Sequence, residues 1–141
     1  MIHAIFRGVV GAMAMTSMRV FAKHAGLIRE EPPSRLARKR ARGVLALVPR
    51  KRRRPIIELI HWSMGAALGA AYGMLPEHVR RRAWSGPLFG LLVWMGFDMF
   101  VAPMAGLGER DWPKGRERAV FMADHVVFGL VLSELHARPR E

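Results

Sequence analysis

The feature that most constrains this chain is the division of its residues into alternating apolar and basic blocks. Four apolar stretches lie at residues 2–22, 56–75, 83–107 and 119–135. Twelve of the 23 Lys and Arg residues lie between Lys23 and Arg54. A net charge of +12 with 51% hydrophobic residues would also suit a soluble nucleic-acid binder if the two kinds of residue were mixed. Their segregation instead favours membrane spans joined by charged loops, since about 20 apolar residues cross a bilayer core. The expectation is an all-α, polytopic membrane protein, one domain over residues 1–141 with four transmembrane helices. Its connection at residues 23–55 is basic and cytoplasmic.

Each block has its own signature. In the first, Arg7 and Arg19 flank the apolar residues 8–18 and can reach toward the two interfaces. A signal peptide is the alternative, with Arg7 closing a basic region and Ala12-Met13-Ala14 as a cleavage site. Its apolar core would be almost absent, so this start is read as a retained helix. Pro55 opens the second block, where a missing N–H costs little. The third has Asp98 as its sole charge, and the fourth carries Asp124, His125 and Glu134.

The connections fit the same division. Residues 76–82 form a short turn, which makes the second and third spans antiparallel neighbours. Residues 108–118, with Trp112-Pro113, form an interfacial loop. In the long connection, Pro32-Pro33 breaks the chain, Ser34 can cap a helix and Pro49 stops it. Between them Leu36, Ala37, Ala41, Val44, Leu45, Leu47 and Val48 share one half of a helical wheel. Arg35, Arg38, Lys39 and Arg42 share the other, and Arg50, Lys51, Arg52, Arg53 and Arg54 come next. A basic amphipathic helix beside a span lies on a lipid surface. Each Lys or Arg near an anionic leaflet adds about 1 kcal/mol, so anionic lipid head groups are the expected partners of these nine residues. The arginine run also suits nucleic-acid phosphates, but no nucleic-acid-binding fold or interleaved aromatic platform accompanies it.

Orientation follows from the basic residues. The first and third connections carry sixteen, against five in the second connection and the C-terminal segment. The positive-inside rule puts the former in the cytoplasm and both termini outside.

Two patterns bear on packing and chemistry. Gly65, Gly69 and Gly73 repeat every four residues on one face, a spacing that lets a second helix approach closely. Gly8 and Ala12 (with Ala4 and Thr16), Gly86 and Gly90, and Gly129 (with His125 and Ser133) supply the matching faces in the other spans. Such faces serve packing within one chain or between copies in a homo-oligomer or larger complex. The second pattern is depth: in four antiparallel spans Arg19, Glu58, His61, Asp98, Asp124 and His125 all fall in the same half of the membrane. Ionised groups in hydrocarbon cost at least ~2.5–3.5 kcal/mol each, so they are expected to form one intramembrane polar cluster, with Arg19–Glu58 the first pair. Glu58-x2-His61 has the spacing used in carboxylate-bridged di-iron bundles. A second such motif is missing, since Asp124 and His125 are adjacent and point about 100° apart. No metal is therefore predicted, and no nucleotide, zinc or nucleophile motif implies a cofactor. Trp84 and Trp112 read as interfacial anchors, Trp62 and Trp94 as packing or lipid-facing residues.

The chain also resembles the bacterial YagU-like inner-membrane proteins of unknown function. The likeness lies in Gly8-Val9-Val10-Gly11-Ala12-Met13-Ala14-Met15-Thr16, in His61-Trp62 leading to Gly65, Gly69 and Tyr72-Gly73, and in Pro87-Leu88-Phe89-Gly90. It implies an inner-membrane location and a role in stress or acid tolerance, and no catalytic residues. The combined expectation is a structural or accessory membrane protein held in register by its polar cluster. The alternatives are a small proton or cation transporter using the carboxylates and histidines, and a soluble basic helical nucleic-acid binder.

Overall fold

A computed structural model describes residues 1–28, 47–104 and 115–133. Arg35, Arg38, Lys39 and Arg42 of the expected amphipathic helix lie outside the described residues, as do Trp112 and Glu134. The described part is helical, with no strand: α1 (Ile2–His24), α2 (Arg50–Gly73), the single turn α3 (Glu77–Arg80), α4 (Ser85–Gly96), α5 (Ala102–Met104) and α6 (Arg116–Leu132). A wide turn with i to i+5 character, Phe97–Val101, joins α4 to α5, so the third apolar block is one helical rod. Two rods, Ile2–His24 and Ser85–Met104, are long and apolar enough to cross a membrane. The other two fall short of that measure because the apolar part of α2 is diluted by Glu58, His61 and its glycines, and α6 is shorter, with Asp124 and His125 inside it.

The boundaries follow local chemistry. At the end of α1, Gly26 adopts φ +68°, where a side chain would be strained. The Gly26 N–H bonds the Lys23 carbonyl and the Leu27 N–H bonds that of Ala22 at 2.8 Å, the paired bonds of a Schellman cap. The cap turns Ile28 onto Ala22 and Phe121, sealing that end. The α2 helix starts six residues before the expected Ile56, because Pro49 takes the N-cap position and Arg50–Arg54 wind into its first turns. Pro55 is thus inside the helix, close enough to its start that only one backbone bond is lost. The turn before α4 is fastened by Tyr72 and Ser85, whose hydroxyls meet at 2.8 Å, and by Arg80, whose Nε donates to the Leu75 carbonyl at 3.0 Å.

The helices pack in the order α2, α1, α6, α4, with extended contacts between each successive pair. Gly8 meets Gly65 and Gly69, Gly86 meets Gly129, and Gly90 meets His125. These pairings make α1 antiparallel to α2, and α4 antiparallel to α6. Arg19 with Asp124 and Gly11 with Phe128 make α1 antiparallel to α6. By the same chain of directions α2 and α4 are antiparallel, but they are not the side-by-side neighbours that their short link suggests. They meet at the linked end, where Tyr72 and Phe89 stack edge to face with centroids 5.3 Å apart. The glycine faces explain this: α1 and α2 present theirs to each other, as do α4 and α6, so the short link joins two helices that share no glycine face.

The backbones touch at these crossings. A Cβ on Gly8 would collide with the Gly65 carbonyl oxygen, and one on Gly69 would lie 2.9 Å from the Gly8 Cα. A Cβ on Gly86 would strike the Gly129 carbonyl oxygen and lie 2.8 Å from the Ser133 Cβ. Gly11, outside the expected packing set, also meets a neighbour, the Phe128 ring.

The interior and surface are inverted relative to a water-soluble bundle. The core is small and mixed: Met15, Tyr72, Phe128 and Leu132 form its main apolar cluster. Arg19 is 2% exposed and Asp124 0%. Large apolar side chains instead cover the outside, including Phe6, Val10, Leu59, Ile60, Leu92, Met99 and Leu130, with Phe21 72% exposed.

Candidate functional site

Three helices bring their polar residues to one level. On α1, Thr16 and Arg19 are three residues apart and share a face; on α2, Glu58 and Trp62 are four apart and share another. Asp124 faces them from α6. Arg19 Nη1 donates to Asp124 Oδ2 at 3.3 Å, between side chains almost wholly removed from solvent. Arg19 Nη2 donates to Thr16 Oγ1 at 3.2 Å. Trp62 Nε1 donates to the same oxygen at 3.3 Å. The Thr16 hydroxyl donates to Glu58 Oε2 at 2.8 Å, with its own helix's Ala12 carbonyl also near, at 3.1 Å. One hydroxyl therefore joins a cation, an anion and an indole from two helices.

The expected first pair, Arg19 with Glu58, is replaced by Arg19–Asp124, and Glu58 reaches Arg19 through Thr16. The reason is helix order. Asp124 lies on the central helix α6, which packs directly on the Arg19 side of α1, whereas Glu58 meets α1 one turn earlier, at Thr16. Thr16 and Trp62 went unrecognised in the sequence as members of this group. The available signal was phase, since each shares a helical face with an ionisable residue.

The two histidines border this core. His61 lies within electrostatic reach of Arg19 and of His125. His125 Nδ1 is 2.8 Å from the Phe121 carbonyl, so as a donor there it leaves Nε2 as an acceptor. The His125 carbonyl sits against Gly90, which ties this level to α4.

Asp98 has a different partner. Its Oδ2 accepts from Arg118 Nη2 at 2.6 Å, and the Arg118 guanidinium lies 5.4 Å over the Trp94 ring. This second group joins α4 to the first turn of α6 at a half-exposed site. Gly90 lies against His125, so in antiparallel packing Asp98, eight residues on, comes level with Arg118, seven residues before His125. The expected six-residue cluster is thus a connected group with Arg19, Glu58 and Asp124 in it, His61 and His125 beside it, and a separate Asp98–Arg118 pair.

Among the described residues no three His, Asp or Glu side chains are grouped to hold a metal ion, so Glu58 and His61 lack the further ligands their spacing called for. In comparisons with protein-family models, curated proteins and solved structures, none matches this chain.

Proposed function

We propose that this chain is a four-span integral membrane protein, structural or accessory in role, whose buried polar group fixes the register of its helices. The observation that carries this reading is the inverted distribution of side chains. A surface of Phe, Leu, Ile and Met around an interior ion pair is stable only where the surroundings are less polar than the core. In water such exposed apolar area would drive aggregation. In lipid, close glycine contacts and shared hydrogen bonds are the forces left to hold helices together, and both occur here. The four-span topology, with loops one and three cytoplasmic in a bacterial inner membrane, belongs to this proposal, as does kinship with the YagU-like proteins. Binding of anionic head groups by the cationic start of α2, Arg50 to Arg54, belongs to it too.

A channel is the weaker reading. The polar group lies about 8–12 Å from the helix ends nearest to it, at 1.5 Å per residue. Toward the opposite end the interior is filled by Met15, Phe128, Leu132 and Tyr72 and by glycine backbones in contact.

Membrane fractionation tests the proposal. The protein should stay in the pellet after alkaline carbonate and enter solution only with detergent. Release by carbonate as a monodisperse species would favour the nucleic-acid-binding alternative and end the membrane reading.

A further inference from the structure

We propose that the Arg19–Asp124–His61 group is a proton-binding site close to one end of the bundle. The first observation is hydrogen-bond inventory. Among the described residues, three buried atoms of the group have no hydrogen-bond partner: Arg19 Nε, Asp124 Oδ1 and His61 Nε2. Arg19 and Asp124 are both more than nine-tenths buried. A group serving only to lock helices gains by saturating every such atom, because each open one carries a desolvation cost. Here one donor and two atoms able to act as bases are left open at one level.

The second observation is charge. The buried, ionisable members among the described residues are Arg19, Glu58 and Asp124, two carboxylates against one guanidinium. With neutral histidines the group is formally −1, which selects a cation over an anion. Among the described residues no set of three His, Asp or Glu ligands stands ready for a metal ion. A proton is the cation that needs only a single basic atom. The ionisable groups around Asp124 are Arg19 on α1, Glu58 and His61 on α2 behind it, and His125 on α6 itself. On the rod that α4 begins, the ionisable group is Asp98 in the wide turn, engaged by Arg118.

The third observation is position. Arg19 is five residues from the end of α1, about 8 Å, but seventeen from its start, about 26 Å. The long path is filled by the apolar cluster and the glycine crossings, and the short one is covered, among the described residues, by Ala22, Ile28 and Phe121. His61 and His125 are only half-buried and lie beside the buried pair. A hydronium ion gives its proton to Asp124 Oδ1 and leaves as water; one O–H bond forms, and the formal charge rises from −1 to 0. Binding occurs without passage to the far side.

This inference rests on burial of the group and on the membrane reading for its sidedness, so the two are tested by separate measurements. Infrared difference spectra of the full chain in lipid nanodiscs, taken across a pH jump, should show a protonated-carboxyl band that shifts in heavy water. The band should vanish in Asp124→Asn, change frequency in Asp124→Glu, which keeps the acid should the amide fail to fold, and persist in Asp98→Asn. In His61→Gln its pH dependence should move. Proteoliposomes under a pH gradient should leak protons no faster than empty vesicles. Absence of the band, its survival in Asp124→Asn, or proton flux lost in His61→Gln would overturn the proposal. Failure of the carbonate test alone would remove the membrane and leave the site.

Discussion

Thr16 holds a central place in the polar group although it carries no charge. Its hydroxyl is the common partner of Arg19, Glu58 and Trp62. Replacing it with valine leaves three buried polar groups short of a partner, so Thr16→Val should destabilise the bundle by about 1–3 kcal/mol, while Thr16→Ser should retain most of the stability. Denaturation in detergent, followed by circular dichroism, measures both. The Arg19–Asp124 pair makes a stronger demand, since removing one partner strands the other charge in a dry interior. Arg19→Leu or Asp124→Leu alone should cost about 3–5 kcal/mol, and the double substitution far less than their sum, because two apolar side chains suit that interior. An additive double variant would show that the pair is not coupled. The Asp98–Arg118 contact is shorter, 2.6 Å, yet Arg118 is half-exposed. Breaking it with Arg118→Ala should cost no more than about 1 kcal/mol. Burial rather than distance decides which ion pair matters.

At the level of the helices, the small residues decide who packs with whom. Gly65→Ala and Gly129→Ala place a methyl into a neighbouring backbone and should each cost about 1–3 kcal/mol by overpacking. Gly96 gives the contrast. It is helical, with open space where a Cβ would go, so Gly96→Ala should stabilise α4 by about 0.5–1 kcal/mol. Thermal unfolding of the three variants in one detergent tests the difference in sign. If all three behave alike, the glycines act through helix propensity and not through contact. The same contacts account for the helix order. The loops join α2 to α4 closely, but the glycine faces send α2 to α1 and α4 to α6, and the loop-joined pair is left with Tyr72 and Phe89 at one end.

For the molecule as a whole, the absence of cysteine makes topology directly testable. Single cysteines at Arg81, between α3 and α4, and at Arg116, at the start of α6, lie at opposite ends of the bundle. In intact inverted vesicles a membrane-impermeant thiol reagent should label the Arg116→Cys variant and not the Arg81→Cys variant. Labelling of both positions would contradict a membrane between them, and labelling of Arg81→Cys alone would reverse the orientation.

Helicity and burial of the ionisable groups were legible in the sequence, because apolar block length and charge segregation act locally and need no partner to be read. The depth rule likewise brought Arg19, Glu58 and Asp124 to one level, since depth along an antiparallel helix is only a count of residues. Which of them touch was not legible. Arg19 could have met Glu58 or Asp124, and the choice fell to Asp124 once α6 packed against the Arg19 face of α1. Thr16 became the junction for the same reason: a hydroxyl gains a role only when a second helix sets a carboxylate 2.8 Å away. Asp98 left the common group because the Gly90–His125 contact sets the antiparallel register, which places Asp98 about two turns nearer the end, level with Arg118. Residue count along the chain determined level and environment; the rotation and order of the helices, which depend on contacts between distant segments, determined partners.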